Sequence, residues 1–160
     1  MDIRAYDPAA DAEAFWELKA AFERELGAGG GEEKAETYEG KLTEQYREDF
    51  LSWAAWCVEH DPGCIVVADA DGLVGYVFML PEQFAFIWDS AVLNELYVAP
   101  VHRGTGLVDD LVEAGLDVAR GQHLPLSRVV LDVDRENERA YAVYDRHGFE
   151  HWAELVERGL

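Results

Sequence analysis

Arg103-Gly104-Thr105-Gly106 puts a cation and two glycines between a β-pattern and a helical pattern, a combination that can hold a phosphate. Glycine reaches positive φ without a Cβ penalty, so backbone N–H groups can crowd toward a ligand there. The positive end of a helix favours an anion, and Arg103 adds a guanidinium suited to phosphate oxygens. Before the turn, Val92 to Val98 is rich in β-branched and aromatic residues. After it, Leu107, Leu111, Ala114 and Val118 recur at helical spacing, with Asp109, Asp110, Glu113 and Asp117 opposite. The turn is not a P-loop, because Leu107-Val108 follows Gly106 where Lys-Ser/Thr is required. Nor is it a dinucleotide fingerprint, which needs a third glycine and an acidic residue after the next strand. The plain alternative is a strand-to-helix turn whose glycines only relieve sterics.

A second constellation lies downstream. Val129 to Val133 reads as a strand, and Asn137 to Phe149 reads as a helix closed by Gly148. Asn137, Ala140, Tyr144 and His147 fall on one helical stripe, so an amide and a phenol face the same way. Asn137 is also a good helix cap, and Tyr144 could equally pack on a sheet.

Together the two segments resemble the GCN5-related N-acetyltransferase (GNAT) superfamily. Its acetyl-CoA motif runs Arg/Gln-x-x-Gly-x-Gly/Ala, followed by a strand and an Asn-x-x-Ala-x-x-x-Tyr-x-x-x-Gly-Phe helix. Arg103 and Gly106 match the first part, and Asn137, Ala140, Tyr144, Gly148 and Phe149 match the second. The resemblance covers roughly residues 92 to 149. It implies an α/β fold with a mixed α+β sheet, the GNAT-like acyl-CoA N-acyltransferase fold. It also implies acetyl-CoA as co-substrate, bound by Leu96, Tyr97, Val98, Arg103, Gly104, Thr105, Gly106, Leu107, Val108 and Asn137. Three features depart from the pattern. Val108 stands where the family keeps Gly or Ala, Asp109-Asp110 would face a pyrophosphate, and residues 150 to 160 leave room for one strand instead of a final hairpin.

The reaction that the resemblance implies is direct attack of an amine on the thioester in a ternary complex. An alkyl ammonium with a pKa of about 10.4 must lose a proton before it attacks. The carbonyl gains charge and needs donors, which the backbone N–H groups of Leu96 to Val98 can supply. The departing thiolate needs a proton, and Tyr144 matches the family tyrosine that gives it. Glu95 is the candidate base, acting through water, beside the reading that it is solvated or salt-bridged. Strand alternation puts Glu95 and Asn94 on opposite faces.

These groups must be carried by a frame. Ile3 to Tyr6 reads as a strand, and Asp7-Pro8 as the N-cap and N1 of a helix with Phe15, Leu18, Phe22 and Leu26 on one stripe. The run Gly27-Ala28-Gly29-Gly30-Gly31 breaks that helix. Tyr38, Leu42, Tyr46, Phe50, Trp53 and Cys57 predict one further amphipathic helix, to about Glu59. Cys64 to Ala68 and Leu73 to Leu80 read as a hairpin turning at Asp71-Gly72. Pro81 to Ser90 reads as a loop whose Phe84, Phe86 and Trp88 line an acceptor pocket or cover the core edge. The expected order is β-α-α-β-β-β-α-β-α-β in a single domain, residues 1–160.

Composition narrows the partners. The chain has 33 acidic and 13 basic residues, a net charge of −20, which repels nucleic acid and anionic membranes and argues against both. Acidity dispersed over the chain with only three lysines, Lys19, Lys34 and Lys41, also suggests a high-salt cytoplasm. No apolar run reaches the ~18 residues of a membrane span and no secretory leader is recognisable, so the expected location is cytoplasmic. Cys57 and Cys64 form no metal or disulfide pattern, the histidines are scattered, and no metal is inferred. The family resemblance leaves three functions open: acetylation of a small-molecule amine, acetylation of protein α-amines or lysines, and a non-catalytic acetyl-CoA-binding module. The intact Asn137 and Tyr144 helix favours an enzyme, and a homodimer is compatible with the sequence.

Overall fold

The computed structural model describes residues 1–160. Strand β1 (Asp2–Ala5) leads into helix α1 (Ala12–Ala28), followed by α2 (Glu32–Lys41) and α3 (Glu44–His60). Strands β2 (Ile65–Asp69) and β3 (Leu73–Met79) form the expected hairpin, with Asp71 and Gly72 both at positive φ. A 3₁₀ turn at Glu82–Phe84 and a one-turn helix α4 (Ala85–Trp88) precede β4 (Ala91–Val98). Helix α5 (Leu107–Gly121), the short β5 (Val129–Val130) and α6 (Glu138–Arg146) follow. The sheet order is β1-β2-β3-β4-β5, antiparallel except for the parallel β4–β5 pair.

The sheet lies between two helical layers, each with its own buried cluster. On one side Phe15 of α1, Phe50 of α3 and Tyr76 and Phe78 of β3 interlock; on the other Leu107 and Leu111 of α5 pack on Val77, Met79 and Leu93. Gly115 lets α5 approach the sheet closely: a Cβ there would stand 3.1 Å from Val77 and 3.2 Å from Met79. Cys57 and Cys64 are free and buried, and burial pushes both thiols up to about 12. No helix is long and apolar enough to cross a membrane.

The expected class holds, and several details change. The single helix predicted from Tyr38 to Glu59 is two, because Thr43 leaves helical geometry and its hydroxyl accepts the Tyr46 N–H at 3.1 Å, capping α3. Helix α1 starts four residues later than Asp7-Pro8 implied. Asp7 caps a local turn through the Ala9 N–H, while Asp11 takes the N-cap position with its carboxylate bound by Arg4 at 2.7 and 2.9 Å. The predicted loop from Pro81 to Ser90 contains the two short helical turns. The strand expected over Val129 to Val133 keeps only two residues, and residues 150 to 160 form no strand, so the final β of the expected order is missing.

Candidate functional site

The turn after β4 is a row of backbone donors. Gly104 has φ +76° and Gly106 φ +89°, values that L side chains rarely adopt, while a Cβ at either would meet nothing within 4 Å. Conformation, not crowding, requires glycine there. The five N–H groups from Gly104 to Val108 have no acceptor in the protein, and the next two, Asp109 and Asp110, turn back to the Gly106 carbonyl at 3.0 and 3.1 Å. Gly106 itself supplies no side-chain cap to α5. The Thr105 hydroxyl donates to the His102 carbonyl at 2.7 Å and so holds the turn in shape. Such convergent donors at a helix start fit an oxyanion. Val108, the residue that departs from the family pattern, is half-buried and packs against the α5 side of the core.

Arg103 is drawn inward. Its Nε donates to the Val98 carbonyl at 2.8 Å, one Nη donates to Glu25 of α1 at 2.6 Å, and the guanidinium lies 5.5 Å from the Tyr97 ring centre. The expected repulsion from Asp109 is met locally. Asp109 Oδ1 accepts from Arg146 Nε at 2.7 Å and from His147 Nε2 at 2.8 Å, and these bonds hold its carboxyl below the usual aspartate value. Asp109 therefore ties α5 to α6 and is compensated on the spot, while Asp110 remains exposed.

Strand β4 separates from β5 after Val92, the last residue paired with it. The Ala99 N–H bonds the Val74 carbonyl at 2.8 Å, and antiparallel bonding alternates, so the backbone groups of Leu96 and Val98 point away from β3 toward the open edge. The Arg103 bond to the Val98 carbonyl confirms that direction. Pairing steps from Phe78–Glu95 to Met79–Leu93, leaving Asn94 as an extra residue, a β-bulge. Leu93 then faces α5 while Glu95 faces α1.

Glu95 sits in a buried charge network. Lys19 of α1 bonds one of its carboxylate oxygens and the Tyr76 hydroxyl donates to the other at 2.8 Å. Lys19 also reaches Glu23 at 2.5 Å, and Lys41 of α2 closes the chain on Glu23 at 2.5 Å. The Lys19 and Glu23 side chains are 3% and 4% exposed, whereas Lys41 is 39% exposed, so the network opens to solvent only at that end. Of the two readings of Glu95, the salt-bridged one describes this arrangement. Lys19 escaped sequence reasoning, although a lysine on the inward stripe of α1 between Phe15 and Phe22, with Glu23 four residues on, was a legible signal.

On α6, Asn137 is the N-cap, its side-chain oxygen accepting the Ala140 N–H at 3.1 Å. Tyr144 lies half-buried one stripe along, its ring edge-on to Phe149 at 5.7 Å. Burial, reinforced by Asp132, pushes its phenol up to about 12, so it keeps its proton at neutral pH. In the segment before β4, Phe86 and Trp88 are exposed, while Phe84 meets the Trp56 ring edge-on at 5.9 Å.

A search of protein families matches residues 31–149 to the acetyltransferase (GNAT) family. The chain belongs to the GNAT family. A mycothiol acetyltransferase of Salinispora tropica is 32% identical over 164 residues, spanning 100% of this chain and 48% of that protein. The GNAT chain thus spans about half the length of this curated relative. Among solved structures, the PaiA N-acetyltransferase of Thermoplasma acidophilum in complex with coenzyme A has a TM-score of 0.73 at 21% identity, covering 93% of this chain and 89% of that one. The aminoglycoside 6'-N-acetyltransferase AAC(6')-Ig of Acinetobacter haemolyticus gives 0.66 at 15% identity, over 100% and 98%. At these identities the likeness shows the fold. GNAT acetyltransferases use acetyl-CoA, and the free N–H row from Gly104 to Val108, unobstructed by any side chain at either glycine, fits the pyrophosphate of that co-substrate.

Proposed function

We propose that this domain transfers the acetyl group of acetyl-CoA to a primary amine of a small molecule in a ternary complex. The observation that carries the reading is the row of five unpaired N–H groups from Gly104 to Val108 at the start of α5. Acetyl-CoA supplies the activated acyl group and a thiolate leaving group. The N–H row and the α5 dipole bind its pyrophosphate. The outward N–H groups of Leu96 and Val98 on the open edge of β4 orient the carbonyl and stabilise charge on its oxygen. The Tyr144 phenol holds the proton that the leaving sulfur takes. Asn137 caps α6 with its amide oxygen and has its amide N–H₂ left for the cofactor. Glu95, with both carboxylate oxygens bonded by Lys19 and Tyr76, is not free to act as the base, so the acceptor's proton passes to solvent.

A small acceptor is favoured because the Salinispora relative, 32% identical, is named for mycothiol. The test is a panel of small amines, N-terminal peptides and lysine peptides, scored by thiol release from acetyl-CoA at low and molar salt. Release with small amines supports the proposal. Release with peptides alone moves the acceptor to proteins, and acetyl-CoA binding without release on any acceptor indicates a non-catalytic module.

A further inference from the structure

Two cations beside the donor turn are held by one carboxylate from another element. Arg103, immediately before Gly104, donates an Nη to Glu25 Oε1 at 2.6 Å, and Arg139, in the first turn of α6, donates to Glu25 Oε2 at 3.2 Å. Glu25 stands in the last turn of α1, just ahead of the glycine run. Arg103 does not depend on Glu25 for its place, because the Val98 carbonyl and the Tyr97 ring also hold it. The Tyr97 phenol registers the same cluster: burial raises its pKa most, Glu25 adds to the rise, and Arg103 and Arg139 oppose it. In a chain with 13 basic residues against 33 acidic ones, two arginines converging beside a row of unpaired N–H groups is a concentration of positive charge where charge is scarce.

We propose that Arg103 and Arg139 form a clamp for the phosphate groups of acetyl-CoA, and that Glu25 is an internal anion occupying the clamp until those groups displace it. This inference rests on the cofactor site proposed above. A phosphate offers more charge and more acceptor oxygens than a carboxylate, and the arginine fork matches it in pairs of bonds. Displacement also releases the end of α1 from the cofactor turn.

Calorimetric titration of acetyl-CoA tests this, with no turnover involved. Glu25→Gln should bind about three- to tenfold more tightly than wild type, since two partly exposed ion pairs no longer compete. Arg139→Gln should bind more weakly by a similar factor, and adding Glu25→Gln to it should recover less than in the wild-type background. Glu25 is partly exposed, so the variant should fold, which a melting curve checks. Wild-type binding with an unchanged or weakened Glu25→Gln overturns the competition while leaving the cofactor site standing. Absence of binding by wild type overturns both.

Discussion

Tyr76 and Glu95 meet in the core at 2.8 Å, the phenol donating to a carboxylate whose other oxygen is taken by Lys19. A buried carboxylate of this kind tolerates burial because a cation and a hydroxyl satisfy both oxygens. Glu23 and Lys41 extend the compensation outward, so two cations balance two anions across three elements.

Removing the central cation should therefore be costly. Lys19→Met leaves Glu95 and Glu23 buried without their shared partner, and breaking a buried pair typically costs about 3–5 kcal/mol. Chemical denaturation should show a loss of that size. A loss below about 1 kcal/mol would mean that water reaches the network freely.

The bond from Asp109 to Arg146 and His147 predicts a pH signature. The Asp109 pKa is lowered from 3.8, first by Arg146 and then by His147, so its contribution to stability is present above that value. It is lost as pH falls through the lower folded-state pKa. Asp109→Asn should melt at a lower temperature than wild type at pH 7, and the gap should close as the pH falls through the lowered folded-state pKa of Asp109. A gap that persists there would show that the aspartate acts through packing instead of charge.

Salt should also matter. With a net charge of −20, raising KCl toward molar concentrations shortens the Debye length to about 3 Å and removes self-repulsion. Melting temperature and acetylation rate should both rise between about 0.1 and 2 M KCl. A flat response would remove the inference of a high-salt habitat.

Tyr144→Phe separates the acid from the packing residue. The ring and its contact with Phe149 are kept while the proton is lost. On the best acceptor kcat should fall about ten- to a thousandfold, with acetyl-CoA affinity and melting temperature nearly unchanged. A wild-type kcat would reduce Tyr144 to packing.

The parts of the site legible in the sequence are those that local conformation dictates. Gly104 and Gly106 announce positive φ, and the Asn137-to-Phe149 spacing places Asn137 and Tyr144 on one stripe whatever surrounds them. Partners distant in sequence were not legible. The attachment of Arg103 to Glu25 joins residues on different elements, and so does that of Glu95 to Lys19. The Asn94 bulge arises from register between strands, which alternation within one strand does not reveal. The break at Leu42-Thr43 was hidden because the apolar spacing runs on through it, while the Thr43 cap that makes it is a single hydrogen bond.

The proposed transfer depends on acetyl-CoA binding at the N–H row after β4. Gly106 at φ +89° is the residue on which that row depends, and valine is strained there. It lies in an exposed turn outside both core clusters, so Gly106→Val should leave the remainder folded. Calorimetric titration of acetyl-CoA into wild type and Gly106→Val, beside circular dichroism of each, is the direct measurement. Binding by wild type and its loss in the folded variant is the predicted result; equal affinity in the two proteins would contradict it.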